Sequence, residues 1–262
     1  MTIWQGVVLG LVQGLSEFLP VSSSGHLRVL EVVTGVRAPG VFVEVSLHVA
    51  TLFAVLVVYG GRLWGLIRGV VALDRAELRR AGLLIIATVP AGVVGALFHR
   101  QVEEADTSVV LIGIGFVVTG FINWSTRRLS GSRVEPTVRG AAGIGLAQAV
   151  AAVYRGISRS GSTVAAALWG GLGPNEAAEF SFLLSIPVIA GAALIEGRHA
   201  AVDVAAVGAV PLAVGFLVAF ASGIWSIRFL VALLRRGRFY SFAPYCWTVG
   251  ALTIAYGLLW HR

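Results

Sequence analysis

The stretch Gly10–Leu27, GLVQGLSEFLPVSSSGHL, decides how this chain is read. It begins as an apolar helix suited to a bilayer, yet its middle carries Gln13, Glu17, Ser22, Ser23, Ser24 and His26, with Pro20 and Gly25 bracketing the serines. A carboxylate at membrane depth costs about 2.5–3.5 kcal/mol on insertion scales, so it marks function by default. Irregular backbone at that depth is tolerated only where protein buries it or where it lines a wet cavity. A second stretch, Gly145–Val164, GLAQAVAAVYRGISRSGSTV, repeats the device: an apolar run, a break at a Ser/Gly cluster, then helix again. The two breaks read as two walls of one site.

Working outward, the chain is 57% hydrophobic and 13% charged, a composition that points to a polytopic membrane protein over its whole length, 1–262, read as a single integral membrane domain. No basic n-region with a small-residue cleavage site opens it, so no removable signal peptide is read. The formal charge of +7 could suggest nucleic acid, but all 20 basic residues are arginine and most sit in short stretches between apolar runs. That placement is an orientation signal, and no nucleic-acid partner is expected. Cys246 stands alone in an apolar stretch and reads as a small core residue.

A span needs roughly 20 residues. Ile3–Leu19 and Gly25–Val33, split by the break, therefore predict a re-entrant helical hairpin. Val41–Gly60, Ala81–His99 and Ser108–Thr126 predict full spans. Arg139–Val153 and Gly161–Leu172 predict the second broken pair, and Glu176–Ile195, Val202–Ile227 and Phe242–Trp260 three more spans. The expected fold is thus an all-α polytopic membrane protein. It would be an inverted repeat, each half a re-entrant hairpin plus three transmembrane helices, with repeat 1 about 1–128 and repeat 2 about 139–262. An odd number of crossings per unit inverts the second unit. Pro90, Pro187 and Pro211 predict kinks in or near spans, and Trp4, Trp64, Trp124, Trp247 and Trp260 an interfacial belt.

The arginines test this layout. Arg62, Arg68, Arg75, Arg79 and Arg80 follow the first full span, Arg127, Arg128, Arg133 and Arg139 the third, and Arg228, Arg235, Arg236 and Arg238 the fifth. All fall on one face if both hairpins return to their own side. The opposite loops hold only Arg37, Arg100, Arg198 and Arg262, beside Glu103, Glu104 and Asp106. The positive-inside rule then places both termini on the non-cytoplasmic side.

Glu17 is the sharpest single residue, a metal ligand or general base, with Gln13 one turn earlier on the same face. SSSGH opens a half-helix whose free N–H groups and dipole favour an anion. Its three hydroxyls add donors or a nucleophile, or cap the helix, and His26 can act as acid, base or nucleophile. In the second break Ser158, Ser160, Ser162 and Gly161 surround Arg159, whose planar fork suits phosphate oxygens. Glu44 and His48, four apart, share a face, with structural roles favoured for them. Glu179 and Ser181 are expected to support the second hairpin.

These residues resemble the undecaprenyl-diphosphate phosphatase family, membrane enzymes known for bacitracin resistance. The likeness rests on Gln13-Gly14-x-x-Glu17-Phe18-Leu19-Pro20-Val21-Ser22-Ser23-Ser24-Gly25-His26, on Gly156-Ile157-Ser158-Arg159-Ser160-Gly161, and on Glu179-Phe180-Ser181-Phe182-Leu183-Leu184. The resemblance implies removal of one phosphate from a C55 polyprenyl diphosphate in the bacterial inner membrane, regenerating the lipid carrier for peptidoglycan synthesis, with a divalent cation, Mg²⁺ or Ca²⁺. It implies that Glu17 binds or helps bind the metal together with position 13, where Gln13, neutral in place of the Glu of many members, weakens that binding modestly. Ser23 matches the nucleophilic serine, His26 is acid/base or itself the nucleophile, and Arg159 holds the diphosphate. Ser22, Ser24, Gly25, Ser158, Ser160 and Gly161 line the substrate. Arg155 stands where the family usually has proline, and either adds a phosphate contact or snorkels toward the cytoplasmic side. A homodimer is compatible with this reading. The rival is a secondary transporter or flippase of an organic anion or lipid phosphate, since broken helices in inverted repeats are also a transport plan.

Overall fold

The computed structural model describes residues 1–34, 41–104, 108–196 and 207–259. Every regular element among them is helical: α1 (Ile3–Phe18), α2 (Ser23–Thr34), α3 (Val41–Val71), α4 (Arg75–Glu104), α5 (Val109–Ser125), α6 (Val138–Val153), α7 (Arg159–Trp169), α8 (Pro174–Glu196), α9 (Ala209–Arg235) and α10 (Ala243–Leu259). Short 3₁₀ turns, Thr126–Arg128 and Phe239–Phe242, close α5 and lead into α10. Among the described residues six segments are long and apolar enough to cross a membrane, in α3, α4, α5 with its 3₁₀ turn, α8, α9, and α10 with the 3₁₀ turn before it. The expected all-α polytopic class is borne out.

The distribution of side chains is that of a protein solvated by lipid. Large outward-facing residues include Val57, Ile85, Leu111, Phe121, Leu217 and Leu252, whereas Gln13, Glu17, Thr119, Asn123 and Gln148 are buried. With little hydrophobic force between helices in lipid, close backbone approach does the work, and small residues permit it. Gly6, Gly10 and Gly14 form a small-residue stripe on α1 facing Pro211, Gly215 and Ala219 of α9. A Cβ on any of the three would collide with α9 backbone. Gly113 and Gly250 bring α5 and α10 together in the same way.

Two expected boundaries are corrected. Arg62–Arg80 was expected as a loop, but α3 runs on to Val71 and α4 begins at Arg75. Arginine is a good helix former, and no proline or cap interrupts the run until Leu73 turns left-handed (φ 56°) and Asp74 caps α4. The Asp74 carboxylate accepts from the N–H groups of Ala76 (2.8 Å) and Glu77 (3.1 Å). Likewise α9 continues to Arg235, eight residues past the expected end at Ile227. Pro90 and Pro187 lie inside α4 and α8, while Pro211 sits in the first turn of α9, where no N–H partner is needed. The Val202 start of the sixth expected span, and Arg37, Arg198, Asp106, Trp260 and Arg262, lie outside the described residues.

The arginine-rich turns gather on one side. Arg62 bonds Glu77 on α4 (3.1 Å) and Glu179 on α8 (2.9 Å), and Arg80 reaches Glu135 at 3.1 Å. Arg133, just before α6, pairs through its backbone with Gly171 (3.0 Å) and Gly173 (2.9 Å), just after α7. The α6–α7 pair therefore leaves on the side from which it entered.

Candidate active site

Both breaks start their second helix with the same cap. Ser22, held left-handed at φ 70°, accepts from Gly25 N–H at 3.4 Å, and Ser158 accepts from Gly161 N–H at 3.0 Å. The repeated unit is Ser-x-x-Gly, and the first helical residue after each cap is Ser23 in one break and Arg159 in the other. Both reach one carboxylate. The Ser23 hydroxyl donates to Glu17 Oε2 at 2.6 Å, and Arg159 Nη2 pairs with Glu17 Oε1 across 142 positions of sequence.

The breaks touch along their backbones. Ser160 donates to the Leu19 carbonyl at 3.2 Å. A Cβ on Gly25 would lie 3.0 Å from Gly156 Cα, and one on Gly161 would lie 3.2 Å from Pro20 Cβ. Gly156 takes φ 92°, a conformation glycine adopts without steric cost, so its place in the turn is fixed by backbone as well as by space.

Around Glu17 the ring of partners is dense. Gln13 donates through Nε2 at 3.1 Å, and His48 of α3 places Nε2 at 3.3 Å. His48 Nδ1 faces the Glu44 carbonyl at 2.8 Å, so both ring nitrogens meet oxygen. Glu17 is 5% exposed, and a buried carboxylate without such partners would be prohibitive. Gln13 Oε1, buried in the same side chain, has no hydrogen-bond partner among the described residues.

The serines divide by role. Ser22 and Ser158 are spent on caps, and Ser158 also lies 3.2 Å from Ser160. Ser23 alone of the three N-terminal serines bonds the carboxylate, and Ser24 is half-buried one residue on. His26 does not join Ser23 and Glu17. Its Nδ1 meets the Ser22 carbonyl at 2.7 Å and its Nε2 meets the Tyr245 hydroxyl at 2.8 Å. Arg155 is half-buried in the second break, its carbonyl against Gly115 of α5. The support expected of Ser181 is present, since its hydroxyl lies 2.6 Å from that of Thr163 on α7, while Glu179 binds Arg62 instead.

Three supporting residues were missed. Thr119 on α5 accepts from Ser158 N–H at 3.0 Å and lies 3.0 Å from the Gly156 carbonyl. Asn123, one turn on, donates to the Pro20 carbonyl at 2.7 Å. Tyr245 holds His26. The signal available for the first two was a Thr and an Asn four apart in an otherwise apolar span, one face of α5. Tyr245 offered none, because it lies among aromatics at a span end.

The sequence pattern of the family described as bacitracin resistance protein BacA matches residues 6–252. The chain belongs to this family. Among its curated BacA-family relatives, a protein of Desulfosudis oleivorans is 41% identical over 276 residues, covering 97% of this chain and 98% of the relative. One of Desulforapulum autotrophicum is 38% identical, covering 99% and 100%. One of Alkaliphilus metalliredigens is also 38% identical, with the same coverage. All three are named undecaprenyl-diphosphatase, which does not favour the transport reading. In this BacA-family chain the matched region contains both breaks and every residue described around Glu17.

Proposed function

We propose that this chain hydrolyses undecaprenyl diphosphate to the monophosphate and inorganic phosphate, in a membrane-embedded site between the two breaks. The observation that carries the reading is the convergence of Ser23 and Arg159, the first helical residues of two separate half-helices, on Glu17. Two helix N-termini, a guanidinium and a hydroxyl thereby surround one point, as a diphosphate requires.

Ser23 is the nucleophile in this reading. Its oxygen attacks the terminal phosphorus, the bond to the bridging oxygen breaks, and polyprenyl monophosphate departs. The serine proton passes to Glu17, its hydrogen-bond acceptor. Water then cleaves the phosphoserine, releasing phosphate and restoring Ser23. Arg159 has five N–H donors, of which Glu17 engages those on Nη2, and the others are available to phosphate oxygens.

A divalent cation fits the donor set. Glu17 and the unpartnered Oε1 of Gln13 are hard oxygen donors, suited to Mg²⁺ or Ca²⁺. Among the described residues no three His, Cys, Asp or Glu side chains cluster, so substrate phosphates would complete the shell. Bound there, the metal would neutralise charge on the phosphoryl group.

The two hairpins are read as halves of an inverted repeat in the bacterial inner membrane, termini outside. In support, α1 packs chiefly on α9 and α6 on α4, which are equivalent pairs if the halves are exchanged. An alkaline phosphatase fused after Arg262 should be active and one fused after Arg236 inactive; the reverse pattern overturns the orientation.

The function is tested with purified full-length protein, polyprenyl diphosphate and Mg²⁺. Wild type should release phosphate, and Glu17→Ala and Arg159→Ala should not. Undiminished release from both variants refutes the site.

A further inference from the structure

His26 is held on three sides, by the Ser22 carbonyl, Tyr245 and Phe116. The Ser22 carbonyl can only accept, so Nδ1, 2.7 Å away, carries the proton. In the neutral ring Nε2 then bears the lone pair, and Tyr245 Oη at 2.8 Å is its donor. The Tyr245 ring lies parallel to the imidazole, 5° between planes with centroids 5.7 Å apart. Phe116, fully buried on α5, meets His26 edge-on at 4.7 Å. Phe116 also fills the space beside Gly25, where a Cβ would come within 2.7 Å of it.

The contacts differ in what they restrict. Phe116 limits rotation of the ring, and the Ser22 carbonyl chooses the tautomer. Only Tyr245 engages the outer nitrogen, and it does so from α10, an element that supplies no other contact to Ser23, Glu17 or Arg159 among the described residues. Tyr245 is also half-exposed, so the Nε2 edge faces outward past it.

We propose that Tyr245 is a positioning residue for His26, fixing the plane of its ring from outside the Glu17 cluster. This rests on the acid/base part in diphosphate hydrolysis that the family resemblance implies for His26. Removing the hydroxyl leaves the stack intact but frees Nε2, so the competent ring orientation becomes one of several. Turnover then falls, while substrate binding, which Tyr245 does not touch, stays.

The test uses purified full-length protein with Tyr245→Phe, with Tyr240→Phe as the control on the neighbouring turn. For Tyr245→Phe, kcat for phosphate release should fall about 10-fold, the lower end of what losing an outer partner of a functional histidine costs, with KM within twofold. In the ¹⁵N spectrum of histidine-labelled protein the Nε2 resonance of His26 should move to that of an imine nitrogen without a donor, while Nδ1 stays protonated. Unchanged kcat, a rise in KM in its place, or an unmoved Nε2 resonance each overturns the proposal. Should Tyr245→Phe fail to fold, 4-fluorophenylalanine at position 245 keeps the ring and nearly its size but lacks the donor, and an unchanged kcat there overturns it equally. His26→Gln separates the two levels. Wild-type turnover in that variant refutes the role of His26 itself, whereas lost turnover with a fully active Tyr245→Phe refutes only the positioning.

Discussion

Ser23 and Glu17 are joined by a hydrogen bond of 2.6 Å in which the serine donates. The bond turns a lone pair of Ser23 away from the carboxylate, and His26, on the next turn of the same helix, faces Tyr245 instead. Ser23 is thus the hydroxyl prepared for attack. Ser23→Ala should reduce phosphate release by at least about 10³-fold, as loss of a nucleophile does. Its thermal midpoint should change little, because Ser22 and not Ser23 caps α2. Acid quenching of wild type with terminally labelled diphosphate should leave label on Ser23; label on His26 would reverse the assignment.

Glu17 and Arg159 are a buried pair, and such pairs cost most when only one partner is removed, about 3–5 kcal/mol. Arg159→Met should destabilise strongly, since the buried Glu17 carboxylate loses its guanidinium partner. Glu17→Gln combined with Arg159→Met should regain most of that stability and none of the activity. Thermal unfolding in detergent measures the cycle, and equal losses in the single and double variants would mean that the pair does not hold the breaks together.

Much of this was legible in the sequence because lipid makes the rules strict. Glu17 and Arg159 were conspicuous as charges within apolar runs, and Pro20 and the Ser/Gly clusters marked the breaks. His48 was undervalued. On its own span it is one turn from Glu44, and nothing local reveals that α3 carries it to a carboxylate on α1. The ends of α3 and α9 were misjudged because hydropathy falls at the membrane boundary, whereas helix propensity in arginine-rich sequence does not. Tyr245 could not be found at all, since its partner His26 lies 219 positions away.

Gln13 bonds Glu17 through its amide nitrogen and leaves Oε1 buried without a partner. A second carboxylate at this position would add a charged oxygen donor beside the first. Gln13→Glu should therefore lower the Mg²⁺ concentration for half-maximal phosphate release, by about 10-fold, as charge count tunes hard-cation sites. It should also make the thermal midpoint rise on adding Mg²⁺ more than it does in wild type. If both titrations coincide with wild type, Gln13 does not face the cation.

At Gly10 α1 lies close against the backbone of α9, and α1 delivers Glu17 to the site. A Cβ there meets the backbone of Gly215, its carbonyl oxygen and, at 3.0 Å, its Cα. Backbone cannot rotate away as a side chain can, so the helices must part. Gly10→Ala should cost about 1–3 kcal/mol, the usual penalty of overpacking, and should lower phosphate release because Glu17 moves with α1. Gly60 on α3 has no neighbouring atom of the described residues within 4 Å of its Cβ position. Gly60→Ala should instead stabilise by about 0.5–1 kcal/mol, through reduced backbone freedom in the unfolded chain. Opposite shifts of the unfolding midpoint in one detergent are the expected result. Shifts of the same sign would show that close α1–α9 packing does not place Glu17.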